Sequence, residues 1–357
     1  MKQRIITAVV LITVCGLFIA AASLIPAEAV NKLIGHTALL SVGMQQPKGS
    51  AELIGEWVTK APPTLGGVLR EERVVLGEVV MQAVTSAPSA AVPEKQAGAG
   101  VVLTQQISAG KTFVQGVAVK NNTKQSVDIA AALARTPKIA FDAATADVQV
   151  LITHTHTTEC YLGYDAGFFN PDDKSRTDDA NANMIAVGER VAQQLRQAGI
   201  GVIHDTEIHD QPYSTAYTHS RKAVERYLKN YPSISVVLDI HRDAIYQSDG
   251  KRVKPTAVIN EKKAAQMMII VGMKNTKSVP NAHTAENLSF GARLQQTMHA
   301  QYTGVMRPMV LADARYNQQL CNGMILVEVG SDVNTLEEAC YSGELLGKGL
   351  AETLKGL

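Results

Sequence analysis

Three short clusters of polar residues, each with a His or a carboxylate, lie at the ends of apolar segments that are typical of buried strands. If those strands run parallel in one sheet, their carboxyl ends lie along one edge and the clusters meet there. Imidazole and carboxylate groups are the ligands and proton carriers of hydrolytic zinc sites. The clusters are residues 154–159, residues 239–243 and Glu328 with Gly330.

A hydrolytic zinc site needs three protein ligands, an open position for water and a carboxylate that moves protons. His156, Glu159 and His241 can supply the ligands, and Glu328 can serve as the catalytic base and acid. His154 precedes His156 by two residues, so on an extended strand both side chains would face the same side. It is therefore an alternative ligand or a partner of a ligand.

Other charged residues near these clusters are candidates for supporting roles. Asp239 and Asp243 can orient a ligating imidazole. Arg242 or His209 can stabilise an oxyanion or hold a substrate carboxylate. Glu328 lies in an apolar strand, where an unpaired carboxylate is costly, so it either pairs with Arg242 or serves a site.

The sequence disfavours several other classes of protein. The chain has no Gly-x-Ser-x-Gly motif and no glycine-rich phosphate loop. Cys160 adjoins Glu159, whose charge raises a thiol pKa and opposes nucleophilic chemistry. The formal net charge of +1 gives no reason to expect a nucleic acid partner.

The N-terminal segment predicts a membrane-spanning helix within residues 1–30. Lys2 and Arg4 precede an uncharged apolar run over residues 5–25, long enough to cross a bilayer. Basic residues ahead of the run place the rest of the chain on the extracytoplasmic side of the cell membrane. Residues 27–29, Ala-Glu-Ala, resemble a cleavage site, so removal of this helix as a signal peptide is the alternative.

The remaining chain is predicted to have three parts. Residues 31–85 form a small accessory region, and residues 86–100, rich in Ala, Pro and Gly, form a linker. Residues 101–357 form the catalytic domain. Beyond the apolar run, the Cys residues are Cys160, Cys321 and Cys340; the last two either pair or remain buried free thiols.

Apolar strands alternate with amphipathic helices in the third part, which predicts an α/β fold. The expected architecture is a three-layer α/β/α domain with a mostly parallel sheet. Strands are expected at residues 148–152, 200–203, 234–240, 266–271 and 324–329, and helices at 183–199, 220–231, 284–302 and 336–357.

Several motifs, in order along the chain, resemble the stage II sporulation protein P family of endospore-forming bacteria. The resemblance covers residues 115–357 and includes the N-terminal anchor. The matching stretches are residues 121–123, 150–159, 203–206, 237–243, 316–318, 326–331 and 334–339.

That family is distantly similar to the zinc-dependent N-acetylmuramoyl-L-alanine amidases, which implies their fold and their Zn²⁺ cofactor. By this resemblance His156 and His241 are zinc ligands and Glu328 is the catalytic carboxylate. The amidases take their ligand Glu from the start of the helix after the first strand. Residues 178–183, which approach that helix here, contain no Glu, and Glu159 is the nearest substitute.

The resemblance implies cleavage of the amide between muramic acid and the L-alanine of the stem peptide in peptidoglycan, with endopeptidase action on cross-links as a second activity. It also implies septal wall removal during engulfment, with stage II sporulation proteins D and M as partners. Two alternatives stay open: a wall- or partner-binding module without turnover, and a zinc peptidase specific for cross-links.

Overall fold

The computed structural model describes residues 91–108, 110, 112–276 and 280–357. The membrane helix predicted in residues 1–30, the accessory region 31–85 and the start of the linker lie outside the described residues. Within the described ranges, no helix is both long and apolar enough to cross a membrane. Residues 91–96, the described start of the linker region, are exposed and have no regular secondary structure.

Strands and helices alternate along most of the described chain. In chain order the strands are β1 Gly100–Gln105, β2 Phe113–Val114, β3 Val117–Asn121, β4 Val148–Thr153, β5 Phe168–Phe169, β6 Gly201–His204, β7 Val236–Asp243, β8 Arg252–Ile259, β9 Lys262–Ala265, β10 Met267–Gly272, β11 Met309–Ala312 and β12 Met324–Ser331. The helices are α1 Ile129–Ala134, α2 Met184–Gln197, α3 Ala216–Asn230, α4 Thr284–Gln301 and α5 Leu336–Lys355.

The main sheet has eight strands in the order β2-β3-β11-β10-β12-β7-β4-β6. Strands β12, β7, β4 and β6 are paired in parallel, and so are β10, β11 and β3. The pairs β10–β12 and β2–β3 are antiparallel. The predicted α/β architecture is therefore confirmed, with a mixed sheet in which parallel pairing dominates.

The two faces of this sheet are covered unequally. Helices α1, α2, α4 and α5 contribute apolar residues to the large core on one face. On the other face, Val224, Tyr227 and Leu228 of α3 pack against Leu151 and Val237. Because strand side chains alternate between faces, each central strand supplies both cores. We call these two surfaces the α2 face and the α3 face.

A second, four-stranded sheet in the order β5-β1-β8-β9 was not predicted. Strand β8 carries Lys254 and Pro255, which are untypical of a buried strand. Lys254 is nevertheless only 1% exposed. Its Nζ lies 2.6 Å from Asp165 Oδ1 and 2.8 Å from Glu338 Oε1, so the charge is paired on both sides.

The three cysteines in the described part of the chain are free thiols. Cys160 and Cys340 are buried and Cys321 is half-buried. Of the two alternatives left open for Cys321 and Cys340, the structure therefore shows unpaired thiols. Burial raises the pKa of Cys340 to about 11, with nearby Arg190 opposing the shift, so this thiol is protonated and unreactive at neutral pH.

Lys254 and Lys263 both form ion pairs with Asp165, which allows a test of how burial changes the contribution of such a pair to stability. We expect Lys254→Met to lower the free energy of unfolding by about 3–5 kcal/mol, because it leaves Glu338 buried without its cation. Lys263→Met is the matched control, since Lys263 Nζ contacts the same Asp165 at 2.7 Å from an exposed position. Lys263→Met should lower the free energy of unfolding by only about 0–1 kcal/mol. Equal losses in urea denaturation would show that burial of Lys254 does not determine its contribution.

Candidate functional site

The parallel pairing of β4, β7 and β12 brings the three predicted clusters together. Glu328 of β12 lies beside His241 of β7, and Asp239 of β7 lies beside Thr153 of β4. Within β12, Glu328 has the same parity as Leu326, which is outside the large core on the α2 face. Asp239, His241 and Glu328 therefore occupy the α3 face near the carboxyl ends of the strands.

His156 reaches the same face from the turn that follows β4. Its ring stacks on Tyr213 with centroids 4.6 Å apart and meets the edge of His241 at 5.3 Å. Tyr217 contacts it edge-on at 5.6 Å. Burial, then the neighbouring His241 and Arg176, lowers the pKa of His156 to about 4. His156 is therefore neutral at physiological pH, which is the form that binds metals.

His241 is held between two carboxylates. Its Nε2 lies 2.9 Å from Asp239 Oδ1, and its Nδ1 lies 3.8 Å from Glu159 Oε2. Burial opposes the charged form, but Asp239, Glu159 and Glu328 outweigh it and raise the pKa of His241 to about 9. Asp239 itself accepts hydrogen bonds from Thr155 N at 2.8 Å and Thr155 Oγ1 at 2.7 Å. Asp239 is thus fixed before it acts on the imidazole.

Glu159 lies in the site but is also engaged by arginines. Its Oε2 accepts from the backbone N–H of Arg242 at 3.3 Å, and its Oε1 lies 3.4 Å from Arg176 Nη2. Burial raises the pKa of Glu159, while His241, Arg242 and Arg176 oppose the shift.

Glu328 is half-buried, and its Oε2 is a buried atom without a hydrogen-bond partner. Burial raises its pKa to about 8, against the charge of His241. The nearby cation is Arg307, which the sequence did not indicate. Arg307 Nη2 donates to Asp243 Oδ2 at 2.7 Å, and its Nη1 has no hydrogen-bond partner. Asp243 thus orients Arg307 in this structure.

Arg242 leaves β7 on the opposite face from His241, as strand alternation requires. Its Nε donates to the carbonyl of Cys160 at 3.0 Å and its Nη2 to the carbonyl of Ser175 at 2.7 Å. The guanidinium therefore fixes the segments around Cys160 and Ser175, while the backbone of Arg242 holds Glu159. The expected pairing of Arg242 with Glu328 is not formed; Arg307 lies near that carboxylate.

His154 does not share the environment of His156. Strand β4 ends at Thr153 and the chain turns there, so the expected equivalence of the two histidines on an extended strand is wrong. His154 Nδ1 lies 3.0 Å from the carbonyl of Ile240, and its Nε2 lies 2.9 Å from His204 Nε2. Burial and His204 lower the pKa of His154 to about 3. Both ring nitrogens are thus already engaged on the α2 face.

His209 is likewise buried away from the rings of the site. Its Nε2 lies 2.8 Å from Asp205 Oδ2, and its carbonyl oxygen lies 3.1 Å from His219 Nδ1. These contacts indicate that His209 stabilises the loop before α3.

Arg176 and Tyr213 also line the site and were missed in the sequence. The Arg176 guanidinium lies 4.6 Å from the centre of the Tyr213 ring and pairs with Asp210. Tyr213 is 59% exposed although it stacks on His156. The available signal was Tyr213 and Tyr217, four residues apart at the start of a helix, a spacing that puts both rings on one side.

No group of three His, Cys, Asp or Glu side chains in the described ranges is arranged to hold a metal ion. Two atoms of the site are nevertheless buried without a partner, His156 Nδ1 and Glu328 Oε2, whereas His241 Nε2 lies against Asp239. A buried polar atom without a partner costs about 1–3 kcal/mol, so their clustering indicates a polar or ionic ligand. Two imidazoles and nearby carboxylates are a donor set that fits zinc chemically.

Two solved structures show similarity to this chain at low sequence identity. The N-acetylmuramyl-L-alanine amidase Ami1 from Mycobacterium smegmatis is 12% identical, with a TM-score of 0.35, over 60% of this chain and 100% of that chain. The N-acetylmuramoyl-L-alanine amidase from Clostridium difficile 630 is 14% identical, with a TM-score of 0.34, over 59% of this chain and 97% of that chain.

Sequence relatives identify the family. Stage II sporulation protein P from Bacillus subtilis (strain 168) is 30% identical over 201 residues, which is 53% of this chain and 47% of that protein. The match thus spans about half the length of that relative. The family model for stage II sporulation protein P matches residues 75–351, which is more than half of the chain. The chain therefore belongs to the stage II sporulation protein P family.

Proposed function

We propose that this chain is a zinc-dependent peptidoglycan hydrolase that cleaves the amide between muramic acid and L-alanine. The observation that carries the proposal is the convergence of His156, His241 and Glu328 on one face of the sheet, where His156 Nδ1 and Glu328 Oε2 are buried without partners and His241 Nδ1 faces Glu159. Membership of the sporulation protein P family supports cell-wall peptidoglycan as the substrate.

In this proposal His156, His241 and Glu159 hold the zinc ion. His156 is neutral, and Glu159 Oε2 already lies 3.8 Å from His241 Nδ1. Asp239 orients His241 in the way that carboxylates orient metal-ligating imidazoles. A zinc ion held by these residues would supply a Lewis acid for the scissile carbonyl.

Glu328 carries the proton in this mechanism. Burial raises its pKa to about 8 in the metal-free protein, and a bound cation would lower that pKa towards neutral pH, where a carboxylate can both accept and return a proton. Oε2, which has no competing partner, takes the proton from the attacking water. As the new C–O bond forms and the C–N bond breaks, Glu328 delivers that proton to the leaving nitrogen of L-alanine.

Arginines supply the cationic surroundings of the site. Arg176 and Arg307 are placed to attract the carboxylates of a stem peptide, since Arg176 is partly exposed and Arg307 Nη1 is unpartnered. Arg242 acts through Glu159, whose Oε2 its backbone N–H holds. This assignment replaces direct oxyanion stabilisation by the buried guanidinium of Arg242.

We place the catalytic domain outside the cytoplasmic membrane, anchored by the apolar run near the N-terminus. Septal wall degradation during engulfment is the proposed setting, with stage II sporulation proteins D and M as partners. Cleavage of peptide cross-links is the proposed second activity. The unpartnered buried atoms and the raised pKa of Glu328 favour a hydrolase over a binding module, which needs neither.

Digestion of purified peptidoglycan by the full chain tests the activity and its cofactor together. We expect mass spectrometry to detect complete stem peptides released from glycan, none after chelation, and recovery with zinc. His156→Ala and His241→Ala should lose both zinc and activity. Cleaved cross-links without free stem peptides would establish a peptidase instead, and intact wall under all metal conditions would refute the hydrolase.

Glu328→Gln tests the proton carrier separately from the metal. Because the variant keeps the shape of the side chain but cannot take a proton, we expect turnover to fall about 10²- to 10⁴-fold. Zinc content, measured by atomic absorption, should equal that of the unaltered protein. Glu225→Gln, an exposed position on α3, is the control and should retain full activity. Activity of Glu328→Gln above about half of the control would remove Glu328 from the mechanism.

The raised pKa of Glu328 also predicts a pH-dependent stability of the metal-free protein. Its pKa rises from 4.5 to about 8 on folding, so the folded state binds the proton more tightly between these values. Stability is therefore lost as pH rises through this interval. In urea denaturation with a chelator, Glu328→Gln should gain stability over the unaltered protein as pH increases from about 5 to about 8.5. A difference independent of pH would contradict the assignment.

A further inference from the structure

A row of four buried or half-buried side chains lies behind the proposed site, on the α2 face. Arg196 Nη1 lies 2.6 Å from Glu189 Oε1, and Glu189 Oε2 lies 3.1 Å from His204 Nδ1. His204 Nε2 lies 2.9 Å from His154 Nε2. His154 Nδ1 lies 3.0 Å from the carbonyl of Ile240, the residue before His241. The row therefore runs from a surface arginine to the backbone of the site.

The partners at the two ends of this row fix the positions of its protons. The carbonyl of Ile240 can only accept, so His154 carries its proton on Nδ1 and presents a lone pair at Nε2. His204 must then donate from Nε2 to His154. Its Nδ1 faces Glu189 Oε2, a carboxylate oxygen that likewise can only accept, and Arg196 Nη1 donates to the other oxygen of that carboxylate. Each contact in the row thus depends on the next.

Helix α2 has a specific adaptation for the contact between the two histidines. A Cβ atom on Gly188 would lie 2.5 Å from His154 Nε2 and 2.5 Å from His204 Nε2. Glycine inside a helix costs roughly 0.5–1 kcal/mol relative to alanine. The sequence therefore accepts a less stable helix at a residue whose Cβ atom would push the two histidines apart.

His154 also links β4 to β7 just beyond the last backbone-paired residues of the two strands. The last paired residues of β4 and β7 are Thr153 and Asp239. The next carbonyl of β7, that of Ile240, is bound by the ring of His154. The carbonyl of His154 itself accepts from Thr157 Oγ1 at 2.7 Å, which closes the turn that contains His156.

We propose that His204, with Glu189 and Arg196 behind it, is a positioning residue for the pair His156 and His241. It acts through His154, which ties the turn of His156 to the strand of His241. The inference rests on the proposed function, because it assigns these two rings to a common ligand. Without these contacts, the carboxyl ends of β4 and β7 can shift independently. The positions of the His156 and His241 rings then change although no residue of the row contacts either ring.

The test uses the full chain and two readouts that do not require turnover. One is the zinc dissociation constant, obtained by competition with a chromophoric chelator. The other is the NMR signals of the His156 and His241 rings in the metal-free protein with labelled histidine. The substitutions are His204→Ala, which removes the donor; His204→Gln, whose amide can still donate to His154; and Gly188→Ala, which keeps all polar groups but separates the rings.

We expect His204→Ala and Gly188→Ala to weaken zinc binding about 10- to 100-fold, as loss of a supporting contact behind a metal ligand does. Both should shift the ring signals of His156 and His241. His204→Gln should recover most of the affinity. His283→Ala is the control, because His283 is half-buried at the N-cap of α4, outside the row, and its Nδ1 lies 2.7 Å from Asn322 Oδ1. His283→Ala should change the zinc dissociation constant by less than about 2-fold.

Unchanged zinc affinity and unchanged ring signals in His204→Ala and Gly188→Ala would overturn the positioning role. So would an equal loss of affinity in His283→Ala, since that would indicate general destabilisation. If the unaltered protein binds no zinc, the proposed function fails, and the ring signals of the metal-free protein still decide whether the row positions the two imidazoles. If His204→Ala does not fold, Gly188→Ala supplies the same comparison.

Discussion

Parallel pairing of β4, β7 and β12 is the constraint on which the site depends. Because the three strands run in the same direction, Glu328 lies beside His241, and Asp239 lies next to the end of β4. The turn after β4 then needs only a few residues to bring His156 within 5.3 Å of the His241 ring. An antiparallel neighbour in place of β7 would send its carboxyl end to the other edge of the sheet.

Strand alternation divides the polar residues at this edge into two groups with different tasks. On the α3 face, His241 lies between two carboxylates and Glu328 has a buried oxygen without a hydrogen-bond partner. On the α2 face, His154 and Arg242 each donate a hydrogen bond to a backbone carbonyl. The chemistry and its support are thus adjacent in sequence but separated by the thickness of the sheet.

This division explains how far the sequence could predict the molecule. Apolar periodicity located the central strands and the long helices within a few residues, and the clusters at strand ends were expected to meet. The face of His154 depended on where β4 ended, so it could not be placed from the sequence. Arg242 adjoins His241 within β7, so alternation alone puts its side chain on the opposite face. Arg307 lies outside the predicted clusters. Lys254 of strand β8 is buried with its charge paired to two carboxylates. Such contacts join residues far apart in sequence and leave no local pattern.

The fold shifts the pKa values of His156 and His241, two adjacent imidazoles, in opposite directions. His156 and His241 touch, yet burial and its neighbours lower the pKa of the first to about 4 while carboxylates raise that of the second to about 9. The difference arises because Asp239 and Glu159 both lie beside His241. A cation bound between these groups would take over the role of the proton on His241, relieve the buried atoms that lack partners, and lower the proton affinity of Glu328. Ligand binding and readiness for proton transfer would therefore be coupled through the same carboxylates that now hold the imidazolium.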